Sequence, residues 1–530
     1  MKTVYLNQFE GIDELDKFRN AVNFLKTETD IELKIPAGKY ILRDEKAKKL
    51  QADVMAGKLG NNPEKEMFNP KAPYTVGLDF SGVRNAVIDG QGAELIVDGF
   101  METLSISNCE NVTIRGLSID HLRKPYSKGI VVGFGADFTD VYFADNRMIS
   151  IDMPSSRIAI RDRHNNLFNY ITGSSEKEQL SDNSIRFYGF CGKNFMGDEI
   201  YIWHTFHSRP AILIYEAKNT NLTDITIYSH PGMGIVGHRS DNILLKRLKI
   251  IPSVGEGMST NTDATHFTSC TGLLRFEGCH FEGHGDDATN VHTYYHTITK
   301  NNKNLCETTV LAPTGTHCQK LDYPNEGDIL ELSSKDDLTP NEIFKVIKSK
   351  PFPDEWRCEL ELDKELPEDC TGFYLANTTQ LPRLEFIDCF VKNHLARSVL
   401  VKTRNVLIEG CSFESNTGTA IHIAAEGAWH EGISAENVCI RNNRMVRCGS
   451  QGHGCIRGAG GISINILAPN ATKPVHKNII IENNIIDCPD TPYAIYAANV
   501  RGIKIINNKT KSQSEPIFTE YCEDIEIKNN

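Results

Sequence analysis

Short apolar stretches recur along this chain in one phrase: an Asn or Gly, a run alternating apolar with polar, then a turn of Asn, Asp or Gly. The phrase stands in RNAVIDGQG (84–92), ENVTIRGLSID (110–120), TNLTDITIYSH (220–230) and DNILLKRLKI (241–250). It returns in TGLLRFEGCHF (271–281), RLEFIDCFVKN (383–393), NVLIEGCSFESN (405–416) and ENVCIRNNRMV (436–446). KNIIIENNIIDC (477–488), RGIKIINNK (501–509) and CEDIEIKNN (522–530) complete the series. Alternation with period two between turn residues predicts β-strands. Some neighbours are close in step: 20 residues from Ile225 to Leu245, 24 from Ile481 to Ile505, 22 from Ile505 to Ile527. Periods of this size, without a helix in each repeat, predict an all-β fold: a right-handed parallel β-helix, each coil stacked on the last around a continuous apolar column. A β-sandwich with chance turn spacing is the alternative, and one phrase repeated over most of the chain argues against it.

Two blocks lack the asparagine phrase. Residues 133–205 (DVYFADNRMISI, SRIAIRDR, SIRFYGF, GDEIYIW) and 297–382 (GDILELSS, EIFKVIKS, WRCELELDKELP, TGFYLANT) read as two small antiparallel β-barrel domains inserted in solenoid loops. Residues 12–27 carry helical spacing, IELKIPAGKYIL reads as strand, turn, strand, and the charged stretch after it as a solvated loop or short helix. The expected order is an N-terminal cap (1–77), β-helix (78–132), first insert (133–205), β-helix (206–296), second insert (297–382) and C-terminal coils (383–530).

Composition narrows the class. A net charge of −12 leaves no basic surplus for a nucleic-acid partner. No apolar run reaches the roughly 18 residues of a membrane span. The N-terminus lacks the apolar core of a secretory signal, so the location is open: intracellular, or periplasmic or secreted if a signal has been removed. Fifteen cysteines include no CxxC pair. Cys279, Cys389, Cys411, Cys448 and Cys488 recur at one phase and read as core packing; Cys306, Cys318, Cys358 and Cys370 form a separate group expected not to pair. A terminal coil ending at Asn530 calls for capping by a partner, such as a homodimer would supply.

The chemistry concentrates between Asn261 and His292, which opens with NTDATHF and closes with GHGDDATNVH. Asp263 and Asp286 are 23 residues apart, one coil, so Asp263 is expected roughly 4.8 Å from Asp286 or Asp287. Three carboxylates that close repel one another, and at least one should hold a proton near neutral pH while another stays charged. Glycoside hydrolysis needs that division: one carboxylic acid for the departing oxygen and one carboxylate for the attacking water. Aspartates also cap turns, but three at one-coil spacing beside His266, His284 and His292 favour catalysis. A zinc or calcium site is the other reading; neither HExxH nor EF-hand spacing is present.

NTD followed by GDD on a β-helix resembles the polygalacturonase layout, although the downstream RIK of that pattern is absent. NTDATHF and HGDDATNVH at this spacing, on a β-helix interrupted twice, resemble glycoside hydrolase family 110, the inverting α-1,3-galactosidases of gut and marine bacteria. That resemblance implies an exo-acting enzyme that removes terminal α-1,3-linked galactose, of blood group B or linear α-galactosyl type, with no metal and no organic cofactor. It implies Asp263, Asp286 and Asp287 as the catalytic trio; the polygalacturonase layout makes Asp286 the acid and Asp263 with Asp287 the holders of water. For binding the sugar, neighbouring coils offer Glu256, Arg209, His284, Arg397, Lys402, His422 and Glu426, with Trp429 as a plate for the apolar sugar face. The alternatives are a polygalacturonase-like hydrolase of another linkage, a calcium-dependent lyase and a carbohydrate-binding β-helix without catalysis.

Overall fold

The computed structural model describes residues 1–530 except 61–65, 145–148, 156, 165, 173–175, 190–195, 314–318, 451 and 453, and the side chains of 170–172. Parallel strands stack coil on coil in three ladders. One coil shows the plan: Thr265–Thr268, Thr271–Glu277 and His280–Glu282 each lie in register under a strand of the next coil, at Thr289, Arg383–Ile387 and Phe390–Lys392. Ile481 pairs with Ile505, and Ile505 with Ile527, as the spacing predicts. The Ile225 to Leu245 step does not hold. Leu245 pairs with Leu222, whereas Ile225 pairs with Leu117. The strand Lys218–Ile227 is long enough to serve two ladders, so its phrase contains two stacking positions.

Inward residues form one apolar column from Val4 to Ile505, and the recurrent Cys279, Cys389, Cys411, Cys448 and Cys488 lie in it as free thiols. Each fully buried Ile, Leu or Phe contributes about 1.5–3 kcal/mol, so the column is the main source of stability. The coil begins before residue 78: Lys2–Tyr5 pairs with Ile31–Lys34, which pairs with Arg84–Asp98. The helix Glu14–Thr27, its first turn capped by Asp13, packs Leu15, Phe18, Val22 and Leu25 into the same column. The asparagine of the phrase has a conformational reason. Asn85, Asn111, Asn219 and Asn242 all adopt φ near +50° (49°, 54°, 54° and 54°), a left-handed turn that Asn tolerates better than other side-chain-bearing residues.

The inserts differ from each other. The first begins at Tyr126–Phe134, earlier than expected, and its described strands form an antiparallel seven-stranded sheet with edges at Phe168–Thr172 and Lys177–Ser181. Among the described residues that sheet is open, not closed as a barrel, because the two edge strands make no pairing with each other. In the second, Thr289–Asn302, Leu305–Thr309, Arg357–Leu362, Pro340–Phe352, Ile329–Ser333 and Tyr374–Asn377 pair successively, and the last returns to the first. Its opening strand is the one that follows Asp286–Asp287, so the solenoid runs into the insert without a linker. Cys306, Cys358 and Cys370 are free thiols; Cys318 lies outside the described residues. Among the described residues no helix is long and apolar enough to cross a membrane.

Candidate active site

The first ladder sets the site. Thr265 pairs with Thr289, and Thr289 with Val399. Two residues before each of these stand Asp263, Asp287 and Arg397, and the same register continues there: Ala264 N–H donates to Asp287 O (2.9 Å) and Ala288 N–H to Arg397 O (3.1 Å). The step along this ladder is thus 24 (289 − 265), not 23, so Asp263 stacks under Asp287, with Asp286 beside them. Gly285 has to be glycine: a Cβ there would lie 2.2 Å from the Asn261 carbonyl oxygen, so the GDD turn packs directly on the NTD turn.

One oxygen from each aspartate lies within 4.8 Å of the other two. They face a cavity of about 200 Å³ that Arg397, Glu426 and Trp429 also line. Arg397 grips Asp287, its backbone N–H and Nε donating to Oδ1 (2.9 and 3.1 Å) and Nη2 to Oδ2 (2.9 Å), and its Nη1 donates to Glu426 (3.1 Å). Trp429, 39% exposed, lines the cavity where it meets the surface.

Lys402 and His422 belong to the wall behind the cavity and do not line it. Lys402 is fully buried, its Nζ donating to Glu431 (2.5 Å) and Asn290 (3.2 Å) and lying 3.4 Å from Glu426. His422 hydrogen bonds to Asn465 (2.9 Å), and burial pushes its pKa down to about 3. His284 is also behind the site and does not line the cavity: its Nδ1 donates to the Asp286 carbonyl (2.8 Å) and its ring stacks on His394 at 3.9 Å, which fixes the turn.

Two expected residues are elsewhere. Arg209 is buried against Glu102 (2.7 Å) and donates to the carbonyls of Glu66 and Asn69, tying the N-terminal segment to the coil. Glu256 lines a separate cleft with Asp120, His121 and Lys124. Arg209 precedes the aspartates by more than a coil, whereas Glu256, only seven residues before Asp263, lies on a turn that lines the other cleft.

The cavity also holds residues that the sequence did not single out: Glu431, Asn290, Arg157, Phe206, His207 and Met233. Arg157 comes from the first insert; its Nη1 donates to Asp286 (3.2 Å) while the guanidinium lies 3.2 Å from the Phe206 ring centroid. No periodic signal marks it, since the insert has its own rhythm. Glu431 was within reach of the sequence, two residues after Trp429 in AWHEG.

Five carboxylates (Asp263, Asp286, Asp287, Glu426, Glu431) thus meet three fixed cations (Arg157, Arg397, Lys402). Burial alone would raise every acid, but Lys402 and Arg397 outweigh it at Glu426, and Lys402 with its neighbours does so at Glu431, so both stay ionised. Asp263 has no such partner. Burial, then repulsion from Asp286 and Glu431, drives it well above the ordinary aspartate range. Asp287 is pushed up to about 7 by burial, against Arg397 and with help from Asp286 and Asp263. The three N–H donors on Asp287 describe an ionised group, and a proton on Asp263 removes one source of its repulsion.

His266, His292 and Glu431 bring possible metal-ligand atoms within 4.8 Å of one another, as do the three aspartates. However, the two imidazole Nε2 atoms are 2.9 Å apart, hydrogen-bond distance, whereas two nitrogens on one tetrahedral zinc stand about 3.3 Å apart. His266 and His292 are hydrogen-bonded to each other, whereas Glu431 stands 4.0 Å from His292 and accepts from Lys402 and Asn290.

No family model matches the chain. It is a homologue of curated proteins named alpha-1,3-galactosidase. Alpha-1,3-galactosidase B of Bacteroides thetaiotaomicron is 27% identical over 507 residues, covering 86% of this chain and 80% of the relative. Alpha-1,3-galactosidase A of Bacteroides fragilis is 25% identical over 548 residues, covering 96% and 87%. Among solved structures, an exopolygalacturonase from Thermotoga maritima aligns over 100% of this chain and 92% of its own, at 11% identity and a TM-score of 0.42.

Proposed function

Taking homology to the α-1,3-galactosidases as the premise, we propose that this chain is an exo-acting glycoside hydrolase that removes terminal α-1,3-linked galactose. The observation that carries it is the aspartate trio at the base of a cavity of about 200 Å³. That is below the roughly 300 Å³ at which pockets for drug-sized ligands begin, room for one sugar ring and not for a polymer running through. Terminal α-galactosides of blood group B or linear type are the substrates.

Asp286 is the acid. It is the most exposed of the three, with 23% of its side chain accessible against 9% for Asp263 and 5% for Asp287, so it faces the mouth through which a leaving group departs. Asp287, held ionised by Arg397, and Asp263 hold the attacking water, and the reaction inverts the anomeric centre without a metal. Trp429, Glu426 and Asn290 seat the sugar.

A screen of α-1,3-, α-1,4- and α-1,6-linked galactosides, with and without fucose, tests the specificity; hydrolysis of the α-1,4 or α-1,6 linkage in preference to α-1,3 would overturn it. EDTA should leave kcat unchanged. Retention is the second reading, favoured by one measurement: the trio's oxygens lie within 4.8 Å, and inverting pairs usually stand about 6.5–9.5 Å apart. Proton NMR of the first-formed sugar decides, β-galactose for inversion and α-galactose for retention.

A further inference from the structure

Behind Asp263 lies a line of three hydrogen bonds with one permitted direction. His292 Nδ1 is 3.0 Å from the Thr293 carbonyl oxygen, which only accepts, so that nitrogen carries a hydrogen. A neutral His292 then has a lone pair on Nε2, which faces His266 Nε2 at 2.9 Å. For that contact to be a hydrogen bond, His266 must donate from Nε2. Neutral His266 is left with a lone pair on Nδ1, and Nδ1 is 2.8 Å from Asp263 Oδ2. A lone pair facing a carboxylate would be repulsive at that distance; one proton between them makes it a hydrogen bond. At 2.8 Å no water fits between the two atoms to relieve the mismatch.

We propose that His266 and His292 are positioning residues of the reaction: anchored on the Thr293 carbonyl, they fix one proton in the short contact between Asp263 Oδ2 and His266 Nδ1, so that Asp263 and His266 form an uncharged unit. This rests on the proposed hydrolysis and deepens it, because it says which of the three aspartates is removed from the charge balance. Asp286 and Asp287 are left as the acid and the base, each beside its own arginine at 3.2 and 2.9 Å. The trio then divides into one acid, one base and one neutral group that orients water. The charged groups around this unit are Glu431, Asp286 and Asp287 against Lys402 and Arg397, three carboxyls to two cations, which disfavours a further negative charge on Asp263. Burial pushes His292 down to about 3 and His266 to about 4, which keeps both imidazoles neutral and puts the shared proton nearer Asp263.

The test is ¹⁵N NMR of the full chain with labelled histidine, assigned with His266→Gln and His292→Gln. The expected result at neutral pH is a protonated Nδ1 on His292 and a protonated Nε2 on His266. His266 protonated on Nδ1 alone, or His292 on Nε2, would overturn the proposal. Kinetics give an independent readout on the same reaction. Gln at 292 presents an acceptor to His266 and should keep kcat within about threefold, whereas His292→Leu, which frees His266 to reverse, should lower kcat about 10–100-fold with KM nearly unchanged. Equal losses in both variants would also overturn it. Should the wild-type chain hydrolyse no α-galactoside, the functional reading fails, and the NMR result still stands for or against the proton chain.

Discussion

Two of the polar side-chain stacks that climb this solenoid solve the same spatial problem with different chemistry. In the C-terminal coils Asn443, Asn484, Asn508 and Asn530 lie one above another; each Nδ2 donates to the next Oδ1, at 3.0, 2.9 and 2.8 Å. An amide has a donor and an acceptor, so the stack satisfies itself and can be repeated in every coil. At the site, Asp263 lies under Asp287 and Asp287 under Arg397 at the same kind of spacing. A carboxylate only accepts, so its own repetition would be repulsive, and each coil must bring a different partner. The partners come from far away in sequence: Arg157 from the first insert, Glu426 and Glu431 from a later coil. Regularity yields stability, and its interruption yields charge that can do chemistry.

The largest effect should come from making the second stack resemble the first. Asp286→Asn keeps shape and removes the proposed acid; kcat should fall by about 10³-fold or more with an unchanged melting temperature. Initial rates on p-nitrophenyl α-galactoside with calorimetry check this, and a loss under tenfold would move the acid role elsewhere. Removing the cation that ends the stack is next. Arg397→Met leaves Asp287 and Glu426 buried without their partner, and about 3–5 kcal/mol of stability should go with it, read from the urea midpoint. In the amide stack, Asn484→Ala removes the acceptor of the Asn443 backbone N–H and the side-chain donor to the Ile440 carbonyl; about 2–4 kcal/mol should be lost with kcat unaltered.

This contrast explains what could be read from the chain before its fold was known. The apolar column and the Asn turns follow from a local pattern in each coil, so the β-helix and the Asp263, Asp286, Asp287 cluster were legible. The phase was less so: Ile225 lies on a strand that serves two ladders, and the aspartate step is set by Thr265 and Thr289, which carry no apolar mark. Arg157 was not legible, because its place depends on how an insert folds back over the coil. Arg209 and Glu256 show the converse, being close in sequence to the site and turned away from it.

Histidines give the comparison a pH axis. The amide stack does not titrate, whereas His292 and His422 behind the site, His204 against the first insert and His121 at the separate cleft are buried and all pushed down to about 3. Their folded values lie below the ordinary 6.5, so the stability they confer is complete above that pH and is lost as pH falls from about 6.5 toward 3. Each should cost about 1.4 kcal/mol per pH unit in that window. Melting temperatures by circular dichroism should therefore drop steeply between pH 6 and 4, and a flat profile would mean that these rings are charged in the fold.

The smallest effect separates two reasons for one residue. Asn242, in the outer row of turns, has φ of +54° and accepts from Leu273 N–H at 2.9 Å. Its own amide reaches Asn219 at 3.3 Å on an exposed surface, where a hydrogen bond adds little over water. If the turn conformation selects asparagine, Asn242→Gly should change stability by no more than about 0.5 kcal/mol, because glycine adopts positive φ freely. Asn242→Ala should cost about 1 kcal/mol, because alanine does not. Should Gly and Ala lose the same amount in urea unfolding, the side-chain bonds hold the outer row, and it would work as the inner amide stack does.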